Sequence, residues 1–377
     1  MKDFDYIILG GGLSGLSLAY ELNRQGCLVN KTLCILEKRK EYTKDKNWSF
    51  WDFNNNKFEN CEKKSWTKFS ISANNQTALM ECTKNPYRTI DSKKFYDFII
   101  EELSKNKNVS LVLGSEIITI NTSTVITQQG TYMGSFIFDS LLNNNLNSGL
   151  MYQHFYGCEI ESEEDIFEEE TVQLMDFNCE QINGMHFFYI LPFSKRKALV
   201  ETTWYSKNIK SLKEYQIEID EYLLKKNIIS KTNYTELGAI PLNLPPTKLS
   251  KSNYLKIGTA GNLTRMSTGY TFSAIQDYSE QLVKKLRLEN IIEAPIVRKK
   301  KYTFLDSIFL SVIETDYKRM PDIFFNLFKK NSTQSTIKFL CDRSNFFEDI
   351  KIILSMPKVV FIKHFLIYLY KQLRNNL

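Results

Sequence analysis

Gly10, Gly12 and Gly15 stand in G-x-G-x-x-G spacing directly behind the apolar run Tyr6–Leu9, and that order restricts the fold more than anything else in the chain. Gly10 permits a tight turn off a strand, Gly12 lets backbone approach a pyrophosphate, and Gly15 lets the following helix lie close on the sheet. That helix carries Leu16, Leu18, Ala19 and Leu22, and the phosphate cradle runs from Gly10 through Gly12, Leu13 and Ser14 to Gly15. A second apolar run, Leu33–Leu36, ends in Glu37, placed to bond a ribose hydroxyl. The reading is a βαβ nucleotide unit, with NAD and FAD both open.

Beyond it, Trp48 and Trp51 in Lys46–Asp52 read as core or pocket wall. Ser92 is the expected N-cap of a helix bearing Phe95, Phe98, Ile99 and Leu103. Arg88 is expected near the cofactor phosphates, a surface ion pair being its alternative. Short strands follow at 110–113, 116–120 and 123–127, and Phe136–Asp139 can return to the nucleotide sheet. The asparagine-rich Leu142–Ser148 reads as a loop.

From Met151 to about Tyr205 the pattern alternates, and His186–Phe193 and Ala198–Tyr205 flank a basic turn as in a hairpin. Period two puts Leu199, Glu201, Thr203 and Tyr205 on one face. Glu201 is thus a carboxylate among largely apolar neighbours, where desolvation would raise its pKa and suit it to general acid work. The competing reading is a solvated face or a pair with Arg196.

A helix with Leu212, Ile219 and Tyr222 leads to a linker marked by Pro241, Pro245 and Pro246. Then a strand at Tyr254–Ile257 meets a second glycine segment, Gly258, Gly261 and Asn262, followed by Thr268, Gly269 and a helix over Phe272–Leu286. A late return of strand, glycine loop and helix shifts the preference from NAD to FAD, whose flavin half would meet that helix start. From Ile291 onward the chain reads as helical, and Val359–Tyr370 is too short an apolar run to span a bilayer, so it packs inside or lies at the interface.

Composition narrows the function classes. Seven scattered cysteines without a CxxC pair fit reduced thiols in the cytoplasm, and His154, His186 and His364 are too dispersed for a local metal motif, so no metal is expected. No signal peptide is expected ahead of the first strand. The net charge of +6 is concentrated from Lys284 onward, with 18 Lys and Arg against 9 Asp and Glu. A basic, aromatic end can meet anionic lipid or be a solvated helical face. No motif for nucleic acid accompanies it.

Across its length the chain resembles the FAD-dependent lycopene cyclases, especially the bacterial β-cyclase type. The resemblance is carried by GGGLSG at 10–15, NWSFWD at 47–52, PYRTI at 86–90, FDS at 138–140 and LMDF at 174–177. It continues through LVETT at 199–203, IGTAGN at 257–262, STGYTF at 267–272 and FLDSIFL at 304–310. Where the family carries a second acid after the glutamate, this chain has Thr202.

The resemblance implies an α/β chain: a Rossmann-like FAD-binding domain from 1–150 and 250–290, an antiparallel-sheet substrate domain at 151–249, and a helical C-terminal part at 291–377. It implies reduced FAD, NAD(P)H as electron source, and a linear carotenoid substrate. It also implies peripheral contact with the inner face of the membrane. Glu201 would protonate a terminal double bond of lycopene, giving β-ionone rings without net redox change, with Asp176 a weaker, more structural candidate. Rival readings are a flavin monooxygenase or reductase on a large isoprenoid, and a non-catalytic carotenoid-binding flavoprotein.

Overall fold

The runs Tyr6–Leu9 and Leu33–Leu36 are buried throughout, as strands covered on both faces must be. In the computed structural model, which describes residues 2–53, 57–121, 123–142, 149–245 and 253–375, they are the centre of a mixed seven-stranded sheet. Its parallel part runs Val109–Val112, Leu33–Leu36, Lys2–Leu9, Gly130–Asp139 and Tyr254–Lys256. Ile7 registers with Cys34 on one side and Ile137 on the other. Helices Leu13–Arg24 and Phe272–Glu289 pack together on this sheet through Leu18, Leu22, Ile275 and Leu282. Thr124–Thr127 and Ile117–Ile120 extend it antiparallel.

A second seven-stranded sheet is ordered Ser230–Pro241, Tyr152–Ser162, Lys197–Ser206, Met185–Pro192, Thr171–Asp176, Lys68–Ala73 and Gln76–Glu81. The expected hairpin is there, Met185 facing Tyr205 and Pro192 facing Ala198. Alternation divides its strand as expected: Val200 and Trp204 join a core with Tyr215, Ile219 and Tyr222 of helix Leu212–Lys225, while Leu199 and Tyr205 face the other core. The chain enters this sheet before residue 150, because Lys68–Ala73 pairs parallel with Thr171–Asp176 and sinks Phe69 and Ile71 into its core. A three-stranded sheet of Asn47–Trp51, Tyr87–Asp91 and Glu62–Trp66 joins the two cores, giving Phe50 and Ile90 to one and Trp51, Trp66 and Tyr87 to the other.

Two local expectations are corrected. The cap of helix Ser92–Ser104 is Asp91, whose carboxylate accepts from the amides of Lys93 (2.8 Å) and Lys94 (3.3 Å). The Ser92 hydroxyl is occupied by the Asp45 and Lys46 amides. The C-terminal helices begin at Lys300 rather than Ile291, running Lys300–Thr315, Met320–Lys330, Thr333–Leu340, Phe346–Ser355 and Lys358–Asn375. Pro241 closes a strand; Pro246 and the loop read at Leu142–Ser148, apart from Leu142 itself, lie outside the described residues.

Those helices are tied to the glycine segment by a buried ion pair. Arg265 donates from Nη2 and Nε to Asp306 (3.0–3.2 Å), Ser267 Oγ donates to the same carboxylate (2.7 Å), and Asp342 lies 3.2 Å from the guanidinium. Among the described residues no single helix is long and apolar enough to cross a membrane; Phe346–Ser355 and Lys358–Arg374 would do so only as a pair bent by 112°.

Candidate active site

The first glycine turn is built by close approach. A Cβ on Gly15 would stand 1.9 Å from the Gly10 carbonyl oxygen, so only glycine lets the helix sit this near the strand. Beyond Gly12, by contrast, a Cβ would meet nothing within 4 Å, and the helix start there has no side-chain cap and no acid in its first turn. Free amides facing open space with no competing anion fit a phosphate. Leu13 and Ser14 line the cleft in front of that start.

The second glycine segment completes this wall. Gly258, at φ +63°, sits where a Cβ would come within 2.6 Å of Ser14 Cβ. Thr259, Thr268 and Gly269 then line the same cleft. Gly261 and Asn262 shape the turn instead: Asn262 is left-handed at φ 61° and exposed, and a Cβ on Gly261 would come within 2.7 Å of the Lys256 carbonyl oxygen. Glu37 is buried, its carboxylate accepting from the Gly11 amide (2.6 Å) and the Arg39 amide (2.8 Å), so here it braces the turn. Arg88, expected near phosphate, is paired with Asp52 (2.8 Å) and with Glu62, because the small sheet places both acids beside it. The ion-pair alternative describes it.

The cleft holds about 460 Å³ and extends from the glycine loops to the face of the large sheet that carries Glu201, Thr203 and Tyr205. Glu201 is 7% exposed and accepts from Thr203 Oγ1 at 2.6 Å. Burial, reinforced by the charge of nearby Glu236, pushes its carboxyl up to about 8, so it carries a proton at neutral pH. Tyr87 and Tyr189, whose hydroxyls bond at 2.8 Å, line the same space with Trp48, while Trp51 is core. Asp176 is elsewhere, accepting from Tyr222 (2.9 Å) and Asn178 as a structural acid.

Sequence reasoning missed Glu236. It is 5% exposed in strand Ser230–Pro241 and lines the cleft with Glu201. Burial raises it to about 7, against Lys46 and Asn47, which favour its charge. A signal was available: like Glu201 it is a lone acid in the middle of a strand, here just ahead of Gly238. Thr202 points to the opposite face, where its hydroxyl bonds Glu218 (2.6 Å) and His186 (2.9 Å), so an acid at 202 would not have faced the cleft.

A second cavity of about 380 Å³ lies among the C-terminal helices, walled by Phe304, Ile308, Phe309, Phe361 and Phe365. It shares Ser267, Thr268, Phe324 and Leu340 with the cleft. An apolar space thus adjoins the cleft that holds the buried acids.

Comparison with known proteins decides the family. The profile described as lycopene cyclase protein matches residues 5–364. The chain belongs to the lycopene cyclase family. One curated relative, the chloroplastic neoxanthin synthase of Solanum lycopersicum, is 22% identical over 298 residues, 71% of this chain. The match spans only 57% of that relative's length.

Among solved structures, a geranylgeranyl bacteriochlorophyll reductase-like protein of Thermoplasma acidophilum superposes with a TM-score of 0.64 at 12% identity, covering 96% of this chain and 98% of its own. The flavin-dependent brominase Bmp2 gives 0.60 at 13% identity, covering 98% and 100%. PqsL of Pseudomonas aeruginosa, described as a probable FAD-dependent monooxygenase, gives 0.56 at 11% identity, covering 86% and 100%. This lycopene cyclase family member shares their α/β fold.

Proposed function

We propose that the chain is an FAD-dependent lycopene β-cyclase, closing the linear ends of lycopene into β-ionone rings with no net redox change. The observation that carries this reading is Glu201, a carboxyl that burial keeps protonated at neutral pH in a cleft continuous with the glycine loops. Leu13, Ser14, Thr268 and Gly269 are the residues that would hold FAD, with NAD(P)H as electron source. Reduced flavin, when bound, supplies negative charge beside a developing carbocation.

The chain's own groups do the rest. Glu201 protonates the terminal double bond, and the aromatic walls exclude the water that would trap the cation. The adjoining apolar cavity suits the polyene. An oxygenase, reductase or carotenoid-binding role on the same fold gives Glu201 no proton to deliver.

The substrate's insolubility in water requires a route from lipid, and the last two helices supply a surface for it. Phe347 and Val359 are 75% and 83% exposed, with Phe346, Leu354, Ile362 and Leu366 also open. Lys351, Lys358, Lys363 and Lys371 are exposed among them. Apolar side chains interspersed with lysine support docking on an anionic inner leaflet from the cytoplasmic side.

Expression in a lycopene-accumulating bacterial host tests the assignment. The pigment should shift to a ringed carotenoid; unchanged lycopene beside soluble, flavin-loaded protein would refute it.

A further inference from the structure

Two acids face the cleft, and strand register puts them there. Gly157 pairs with Glu201 on one neighbouring strand and with Glu236 on the other, so the three share one face of adjacent strands. Gly157 puts no side chain of its own between the acids: a Cβ there would come within 3.2 Å of Glu236 Cγ and 3.6 Å of Glu201 Cβ, with Leu199 Cδ1 at 3.0 Å. Glu236 Oε2 accepts from the Asn47 amide (2.9 Å), Asn47 Nδ2 (2.7 Å) and Tyr234 hydroxyl (3.3 Å), whereas Glu201 Oε1 accepts from Thr203 alone. Each retains one carboxyl oxygen without a hydrogen-bond partner among the described residues.

We propose that Glu201 and Glu236 hold one proton between them and divide the reaction, Glu201 giving a proton to the terminal alkene and Glu236 taking one from the ring carbon. This rests on the cyclase reading above. As the Glu201 O–H bond breaks, a C–H bond forms at the alkene end. The next double bond supplies the electron pair of the new ring C–C bond. The ring C–H then breaks, its electrons becoming the ring double bond while an O–H bond forms on Glu236. Glu236 then releases that proton to solvent and Glu201 takes one up from solvent, which resets the pair with no electron gained or lost.

The division follows from the hydrogen bonds. Three donors favour the charged form of Glu236, one favours that of Glu201, and two like charges flanking a glycine resist ionising together. Burial and neighbours raise both groups, Glu201 further. The other ionisable groups facing the pair are Lys46, Tyr87, Tyr189, Tyr205, Tyr234 and Tyr270, and Glu159, whose charge Lys44 and Lys63 hold. Burial raises all five tyrosines, which therefore stay neutral.

Glu236→Gln and Glu236→Asp in the flavin-loaded full chain test this with two readouts. The first is an infrared titration of the Glu201 carboxyl, identified by its loss in Glu201→Gln. Removing the neighbouring charge in Glu236→Gln should lower the Glu201 midpoint, and Glu236→Asp should restore it. The second is ring formation from lycopene in vesicles, expected to fall by about 100-fold or more in Glu236→Gln and in part to recover in Glu236→Asp. An unmoved midpoint, or a Glu236→Gln protein that cyclises at the wild-type rate, overturns the proposal. A moved midpoint in a wild type that forms no ring supports the shared proton and overturns the cyclase reading instead.

Discussion

Gly258 and Ser14 meet where the two glycine segments of the chain touch, with a gap too small for a methyl group. This contact between residues 244 positions apart makes one wall of the cleft, and it separates structural glycines from ligand-facing ones. Gly258→Ala should strain both φ and packing, lowering stability by about 1–3 kcal/mol and reducing flavin retention. Gly12→Ala, whose Cβ meets open space, should unfold at the wild-type temperature yet bind flavin more weakly. Thermal unfolding and flavin content, measured together, check the contrast; equal effects of both substitutions would refute it.

The acids of the cleft give stability a pH dependence with a definite sign. Glu201 and Glu236 are raised in the fold to about 8 and about 7, above their ordinary 4.5, so the folded state binds more protons than the unfolded state between those values. Their contribution is therefore fully present below about pH 4.5 and is lost as pH rises through 7 and 8. Glu201→Gln removes its share and should melt higher than wild type at pH 9, with little advantage at pH 5. Unfolding temperatures across that range decide it, and a constant difference would argue against a buried, protonated Glu201.

Asp306 fixes the C-terminal helices to the segment that lines the cleft, through Arg265 and Ser267. Asp306→Asn leaves a fully buried guanidinium short of a counter-charge, which costs about 3–5 kcal/mol. Denaturant unfolding should register that loss; a change below about 1 kcal/mol would show that Asp342 suffices to hold Arg265.

Phe347 and Val359 stand on the exposed helical surface, outside both cavities. Replacing both with Asp should leave unfolding unchanged but weaken sedimentation with anionic vesicles by about ten-fold or more, since each loses about 1.5–3 kcal/mol of apolar burial. Undiminished binding would move the docking surface elsewhere.

Much of this was legible in the residues because it is local. The glycine spacing after Tyr6–Leu9 yields the nucleotide sheet, and period two puts Glu201 on one face and Val200 on the other. What was not legible depends on partners distant in sequence. Nothing in Lys68–Ala73 announces that it will pair with Thr171–Asp176, and Glu236, though marked as a lone acid in mid-strand, is joined to Glu201 only when register sets the two on either side of Gly157. The ion pairs of Arg88 were hidden for the same reason, since its neighbours Asp52 and Glu62 are chosen by the small sheet. Asp91 displaced Ser92 as cap because a distant loop claimed the serine.

In the cyclase reaction proposed above, Glu201 drives a proton-in, proton-out isomerisation. Purified protein with reduced FAD and lycopene-loaded vesicles in deuterated water tests it, the product being analysed by mass. Wild type should form a ringed isomer carrying one deuterium per ring, and Glu201→Gln should retain flavin while losing about 10²–10⁴-fold in rate. A product that gains oxygen or a pair of hydrogens, or a Glu201→Gln protein that cyclises at the wild-type rate, would contradict it.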